Sequence, residues 1–211
     1  MICGVDEAGR GPVIGPLVIA GVLASEEDFE ALTQMGVKDS KKLAKNTRAR
    51  LYEEITKNYN YYSVKVAPRE IDRMRKKMTL NKIEAIKFAE VINKLKPKKA
   101  YIDAADAVPG NFKKAIEETL KQPTTLIVEH KADETYPIVS AASIIAKVER
   151  DRIIEKLSQK YGNIGSGYPS DPTTQRFLKE WYQKNQSFPD IVRESWKTIE
   201  KLKNSKITEF F

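Results

Sequence analysis

The sequence predicts a mixed α/β sheet with a helical C-terminal appendage, and three observations carry that prediction. Two short runs rich in Ile, Val and Leu, residues 2–6 and 17–24, come first as a hairpin-like pair. Further strand-like runs then alternate with segments of helical periodicity. From residue 136 onward the pattern is helical apart from one glycine-rich loop. Hydrophobic residues make up 41% of the 211, enough for a core.

The elements follow in order. Gly9, Arg10, Gly11 and Pro12 form a tight turn between the first two strands. Helices are expected at 26–34 and 47–58. Asn46 is the expected N-cap of the second, with Leu51, Tyr52 and Ile55 on one face. YYSVKV, residues 61–66, alternates enough for a third strand, and helices at 69–77 and 80–95 follow. Residues 99–103 (KAYID) and 124–129 read as buried strands on either side of a helix at about 110–120. Such a βαβ unit makes those two strands parallel. Residues 136–160 read as one long helix, small and apolar in PIVSAASIIAKV and charged in ERDRIIEKLSQK. The loop at 161–172 ends in Asp171 and Pro172, an N-cap and N1 pair for a helix at 172–184. A last helix is expected at 189–203, with a flexible tail after Lys203. The expected division is a domain of residues 1–160, a helical module of 161–203 packed on it, and the tail 204–211.

Composition narrows the function. Cys3 is the one cysteine, so an internal disulfide is excluded, and His130 is the one histidine, so a Cys/His zinc cluster is excluded. Residues 11–24 are almost wholly apolar but too short to span a bilayer, and Pro12 and Pro16 interrupt them. Asp6 and Glu7 precede them where a signal peptide carries basic residues. The expectation is a soluble, cytoplasmic monomer with no membrane partner. The net charge is +8, and residues 65–99 hold twelve Lys or Arg against four acids. A surface of that sign attracts a phosphate backbone.

The chemistry-bearing residues are acids beside buried strands. Asp6 and Glu7 end one apolar run, Asp103 ends another with Asp106 three residues on, and Asp133 and Glu134 precede the long apolar helix. In an open α/β sheet, strand ends are where ligand sites gather. Converging carboxylates repel one another, and with no histidine cluster a hard cation with oxygen ligands, Mg²⁺ or Mn²⁺, is the matching counter-charge. Read one at a time, the same acids also serve as helix caps or lysine partners. His130, Cys3, Trp181 and Trp196 read as structural.

The wording of several segments resembles ribonuclease HII, the type 2 ribonuclease H family. These are GVDEAGRGPVIGPLVIA (4–20), KDSKKL (38–43), YIDAAD (101–106), HKADE (130–134), SAASIIAKVERDR (140–152) and GSGYPSDP (165–172). They cover most of the chain in the family's order, and YPSDP resembles the archaeal branch. The resemblance implies a ribonuclease H-like fold, a five-stranded mixed sheet flanked by helices with a C-terminal helical module. It implies Asp6, Glu7, Asp103 and Asp133 as catalytic ligands of two Mg²⁺ or Mn²⁺ ions, with Asp103 preferred over Asp106 and Asp133 over Glu134. The implied activity is hydrolysis of RNA in RNA–DNA hybrids and cleavage 5′ of ribonucleotides embedded in duplex DNA, leaving 3′-hydroxyl and 5′-phosphate ends. Gly9, Arg10 and Gly11 are implied at the ribose 2′-hydroxyl, and Tyr168 at the neighbouring sugar. Ser40, Lys41 and Lys42 resemble a phosphate-contacting loop, and Lys131, Lys147 and Arg150 are further candidates for backbone contact or site support. In NSKITEFF, Asn204, Ile207, Phe210 and Phe211 resemble a motif that binds a sliding clamp (PCNA), with Asn204 where glutamine is usual. Two other readings stay open at this stage. One is a DNA-directed nuclease or recombinase on the same fold, and the other is a non-catalytic nucleic-acid adaptor.

Overall fold

The computed structural model describes residues 1–37 and 43–204. Ser40, Lys41 and Lys42 of the expected phosphate loop lie outside the described residues, as do Ile207, Phe210 and Phe211 of the tail. The strands are β1 (Ile2–Ala8), β2 (Leu17–Ala24), β3 (Asn60–Val66), β4 (Lys99–Asp103) and β5 (Thr125–Glu129). They form one sheet in the order β3-β2-β1-β4-β5. β1 is antiparallel to β2 and parallel to β4, which is parallel to β5, so the sheet is mixed as expected. The helices are α1 (Asp28–Met35), α2 (Lys45–Asn58), α3 (Pro68–Arg75), α4 (Leu80–Leu95), α5 (Pro109–Glu117), α6 (Ala132–Thr135), α7 (Pro137–Tyr161), α8 (Pro172–Asn185) and α9 (Lys197–Asn204). Among the described residues no helix is long and apolar enough to cross a membrane.

The described chain divides into two compact units. The first gathers residues 1–8, 18–65 and 79–149, and the second gathers residues 9–17, 66–78 and those from 150 onward. The boundary falls inside α7, after Glu149.

In the first unit two glycines set how the sheet is covered. A Cβ on Gly4 would lie 2.3 Å from the backbone carbonyl of Ile138, so only glycine lets the start of α7 rest on β1. A Cβ on Gly21 would meet Val91 of α4 at 2.5 Å. Gly21 is paired with Val5 and Gly4 with Val22, and directly paired residues share a face. Therefore α7 and α4 lie on opposite faces, and Asp6, two residues after Gly4, points to the α7 side. The α4 side is closed by Phe88 against Phe112 of α5, edge to face at 5.2 Å.

The second unit has its own core. Val13, Ile14, Ile164, Phe177, Leu178, Phe188, Ile191, Val192 and Ile199 are buried together. Asp171 caps α8 as expected, its Oδ1 accepting from the Thr173 N–H at 2.9 Å, with Pro172 in the first turn. Its other oxygen accepts from the Ser166 N–H and hydroxyl, and these donors hold the carboxyl down at about 2.

Two expectations are corrected. Asn46 lies inside α2, whose N-cap is Ala44, and no side chain caps it. The long helix expected at 136–160 is present as α7, with Tyr136 left extended before it because Pro137 follows and disfavours the helical conformation there. The helix expected at 189–203 begins only at Lys197. Upstream of it Ile14 and Val192 form an isolated antiparallel bridge, and the Arg193 N–H donates to the Val13 carbonyl at 2.8 Å. A tertiary backbone pairing has displaced a local helical preference there.

Gly4 carries the most stringent steric requirement of the sheet. We expect Gly4→Ala to destabilise the protein by about 2 kcal/mol, a fall in Tm of roughly 4–8 °C, in a thermal melt.

Candidate active site

The acidic residues are brought together by register and by one turn. The parallel pairing of Val5 with Ile102 carries Asp6 alongside Asp103. β5 ends at Glu129, and Lys131, in the left-handed conformation (φ 59°), reverses the chain into α6. That turn aims the Ala132 N–H at Asp103 Oδ1, 3.1 Å away, and puts Asp133 in the first turn of α6. One carboxylate oxygen from each of Asp6, Asp103 and Asp133 lies within 4.8 Å of the others. Asp6 and Asp133 are buried, and Asp103 is half-buried.

The electrostatics of this cluster are unfavourable on their own. Burial pushes the Asp6 carboxyl well above the usual carboxylate range, and the charges of Glu7 and Asp103 push it further. A hydrogen bond from Ser143 and the charge of Lys147 oppose that shift without cancelling it. Both come from the face of α7 that rests on β1, one turn apart, and the Lys147 ammonium donates to Ser143 Oγ at 2.8 Å. Glu7 is half-buried on the next residue of β1, and its N–H donates to Asp6 Oδ1 at 2.7 Å.

These donors fit a divalent metal. Hard carboxylate oxygens converge at ligand-sharing distance, and a bound cation would turn their mutual repulsion into attraction. Asp106 is engaged elsewhere, accepting from the Asn81 amide and, at 3.0 Å, from the Val108 N–H. Glu134 faces Lys131 at 3.5 Å on the surface. His130 bridges to the Ala107 carbonyl through Nε2 at 3.2 Å, a structural contact.

The second unit holds the remaining expected residues. Gly9 sits at φ +87°, and a Cβ there would lie 2.6 Å from the Pro16 carbonyl oxygen and 2.7 Å from Arg150 Cδ. Arg150 is buried, donates to the Ser166 carbonyl at 3.2 Å and places its guanidinium 5.5 Å from the Tyr168 ring. The Tyr168 ring is exposed and passes within 3.7 Å of where a Cβ on Gly11 would stand. Gly9, Gly11, Arg150 and Tyr168 are thus neighbours, although Gly11 and Arg150, the nearest members of the two pairs in the chain, are 139 positions apart.

Two residues with a clear part in this arrangement were not legible as such. Ser143 lies in a run of small residues that reads as close packing, and only its place four residues before Lys147 marks it. Arg193 falls in a stretch whose periodicity predicts helix, yet it is fully buried.

Comparison with known proteins agrees with this geometry. A family model described as Ribonuclease HII matches residues 3–199. The ribonuclease HII of Pyrococcus horikoshii is 52% identical over 204 residues, 95% of this chain and 92% of the relative. The crystal structure of ribonuclease H2 from that organism superposes with a TM-score of 0.89 at 50% identity, covering 96% of each chain. The ribonuclease HII in the PCNA complex from Archaeoglobus fulgidus superposes with a TM-score of 0.90 at 47% identity, covering 100% of each chain.

The cluster makes a signed prediction. A carboxyl raised in the folded state stabilises the fold at low pH and loses that contribution as pH rises through its folded value. At pH 7 without metal, the buried Asp6 carboxyl is therefore a cost to the fold. Asp6→Asn should raise the Tm of the metal-free protein by about 3 °C or more. The same variant should lose the stabilisation that Mn²⁺ gives the wild type, read by differential scanning calorimetry with and without EDTA.

Proposed function

Because this chain belongs to the ribonuclease HII family, we propose that Asp6, Glu7, Asp103 and Asp133 form the centre that cuts ribonucleotide-containing strands. The class of enzyme is a type 2 ribonuclease H, a metal-dependent endonuclease acting on RNA–DNA hybrids. The observation that carries the assignment of residues is the convergence of an oxygen from each of Asp6, Asp103 and Asp133 within 4.8 Å.

Asp6 and Asp103 are proposed to share two Mg²⁺ or Mn²⁺ ions, with Glu7 and Asp133 completing the oxygen ligands. Bound there, such a pair supplies a water made nucleophilic at neutral pH and positive charge for the leaving oxygen. The chain's own residues hold that arrangement. The Ala132 N–H fixes one oxygen of Asp103, and Ser143 fixes Asp6. Lys147 moderates the negative charge near Asp6. Asp133 is assigned to orient the attacking water. The products are a 3′-hydroxyl and a 5′-phosphate.

Substrate reading is assigned to the glycine turn and its neighbours. Gly9, Arg10 and Gly11 bring backbone close to a bound nucleotide and detect its 2′-hydroxyl, the one group that separates RNA from DNA at a single position. Tyr168, exposed and backed by Arg150, is assigned to the adjacent sugar. Ser40, Lys41, Lys42 and Lys131 are assigned to phosphates, as the basic excess of the chain supports. With that reading the enzyme also cuts 5′ of a single ribonucleotide in duplex DNA.

The tail is proposed to tether the enzyme to a sliding clamp through Asn204, Ile207, Phe210 and Phe211. In support, the Archaeoglobus fulgidus relative is found in a complex with PCNA. We expect Phe210→Ala with Phe211→Ala to lower clamp affinity at least tenfold in calorimetry while leaving hybrid cleavage unchanged. Equal clamp affinity would remove the tail from this role.

The central test is cleavage of a DNA duplex carrying one ribonucleotide beside an all-DNA control, in Mg²⁺ or Mn²⁺ and then in EDTA. We expect a metal-dependent cut on the 5′ side of the ribonucleotide, reduced at least a thousandfold in Asp103→Asn. A bound but uncut duplex under either metal would favour the adaptor reading instead.

A further inference from the structure

Arg193 is the largest fully buried side chain among the described residues, and its three donor nitrogens all face one short segment. Nη2 donates to the Gly9 carbonyl at 2.6 Å, Nη1 to the Arg10 carbonyl at 3.0 Å and Nε to the Gly15 carbonyl at 2.9 Å. Three residues on, Trp196 donates from Nε1 to the Gly11 carbonyl at 3.1 Å. The Arg193 guanidinium lies 4.8 Å from the Trp196 ring, so each side chain steadies the other. All three carbonyls of the glycine-arginine-glycine turn are therefore held by two side chains from the segment just before α9.

The consequence follows from peptide geometry. In a planar trans peptide the N–H points opposite to the C=O. Drawing the Gly9 and Arg10 carbonyls toward Arg193 turns the N–H groups of Arg10 and Gly11 to the other side of the turn. Gly11 is exposed and Arg10 half-buried, so the turn itself lies at the surface. The Gly11 and Gly15 carbonyls precede prolines and carry no N–H on their peptides, so gripping them orients the backbone without hiding a donor. A planar fork with fixed donors suits this task, and a lysine ammonium cannot span three carbonyls. Arg193 remains cationic while doing so, although burial and the nearby charge of Arg150 push it down to about 9.

Resting on the ribonucleotide reading of the turn given above, we propose that Arg193 and Trp196 are positioning residues for ribose selectivity. They hold the turn's carbonyls and thereby present the Arg10 and Gly11 N–H groups to the 2′-hydroxyl of the substrate. Neither residue touches the substrate itself.

Two variants test this without emptying the core. Trp196→Phe removes only the indole donor, and Arg193→Lys keeps the charge but loses the fork. Each is first shown by thermal melt to be folded at the assay temperature. Cleavage of the single-ribonucleotide duplex is then measured in Mn²⁺, with the all-DNA duplex as a competitive inhibitor. Both variants should lose about tenfold or more in kcat/KM, the scale of one misplaced hydrogen bond, while the inhibition constant of the all-DNA duplex stays within twofold. Wild-type kcat/KM in both folded variants would overturn the proposal. A parallel weakening of all-DNA binding would also overturn it, since the loss would then concern duplex affinity and not ribose. A wild type that cuts neither duplex would instead sink the functional reading on which the proposal rests.

Discussion

Negative charge held where little water reaches it is the condition on which the rest of the first unit depends. Asp6 is buried on the α7 face of the central strand, with Glu7 beside it in the chain and Asp103 beside it in the sheet. Burying such a group costs several kcal/mol unless something compensates. The local architecture supplies part of that compensation. Gly4 permits α7 to rest on β1, and that contact is what delivers Ser143 and Lys147 to the carboxylate. What remains uncompensated is the opening for a cation, and the left-handed turn at Lys131 brings an oxygen of Asp133 within 4.8 Å of those of Asp6 and Asp103.

The second unit holds buried charge of the opposite sign. Arg150 and Arg193 are both withdrawn from solvent, and the charge of Arg150 adds to the burial that lowers Arg193. Here backbone carbonyls do the compensating. Those that Arg193 holds belong to Gly9 and Arg10 of the turn that the ribonucleotide reading needs to be rigid, and to Gly15 just after it, so burying this guanidinium also fixes a loop. A loop held this way keeps its shape before substrate arrives, which is the condition for selective recognition of one hydroxyl.

Much of this was legible in the residues. The strand pattern in 2–6, 17–24 and 99–103 placed Asp103 at a strand end and Asp6 on the first strand, which runs on to Ala8, and the βαβ spacing made β4 and β5 parallel. Asp171 with Pro172 announced the start of α8. What local pattern misses is wherever tertiary contact overrides it. The short helix α6 that carries Asp133 spans only ADET, too few residues to show a helical period, and Pro137 separates it from α7. Residues 189–196 have helical periodicity but pair with Val13 and Ile14, a partner some 180 residues away. Arg193 and Trp196 were unreadable for the same reason, because the carbonyls they hold lie at the other end of the sequence. Ser143 was hidden by its size, since a small residue in a packed helix and one bonded to a buried carboxylate look alike.

Whether the three aspartates gather around a cation is measured directly by anomalous scattering from a Mn²⁺-soaked crystal. Anomalous density is expected bonded to oxygens of Asp6, Asp103 and Asp133, at about 2.0–2.2 Å as hard-ion coordination requires. Density absent from this cluster at saturating Mn²⁺, or carboxylates that swing apart to pair with lysines, would contradict it.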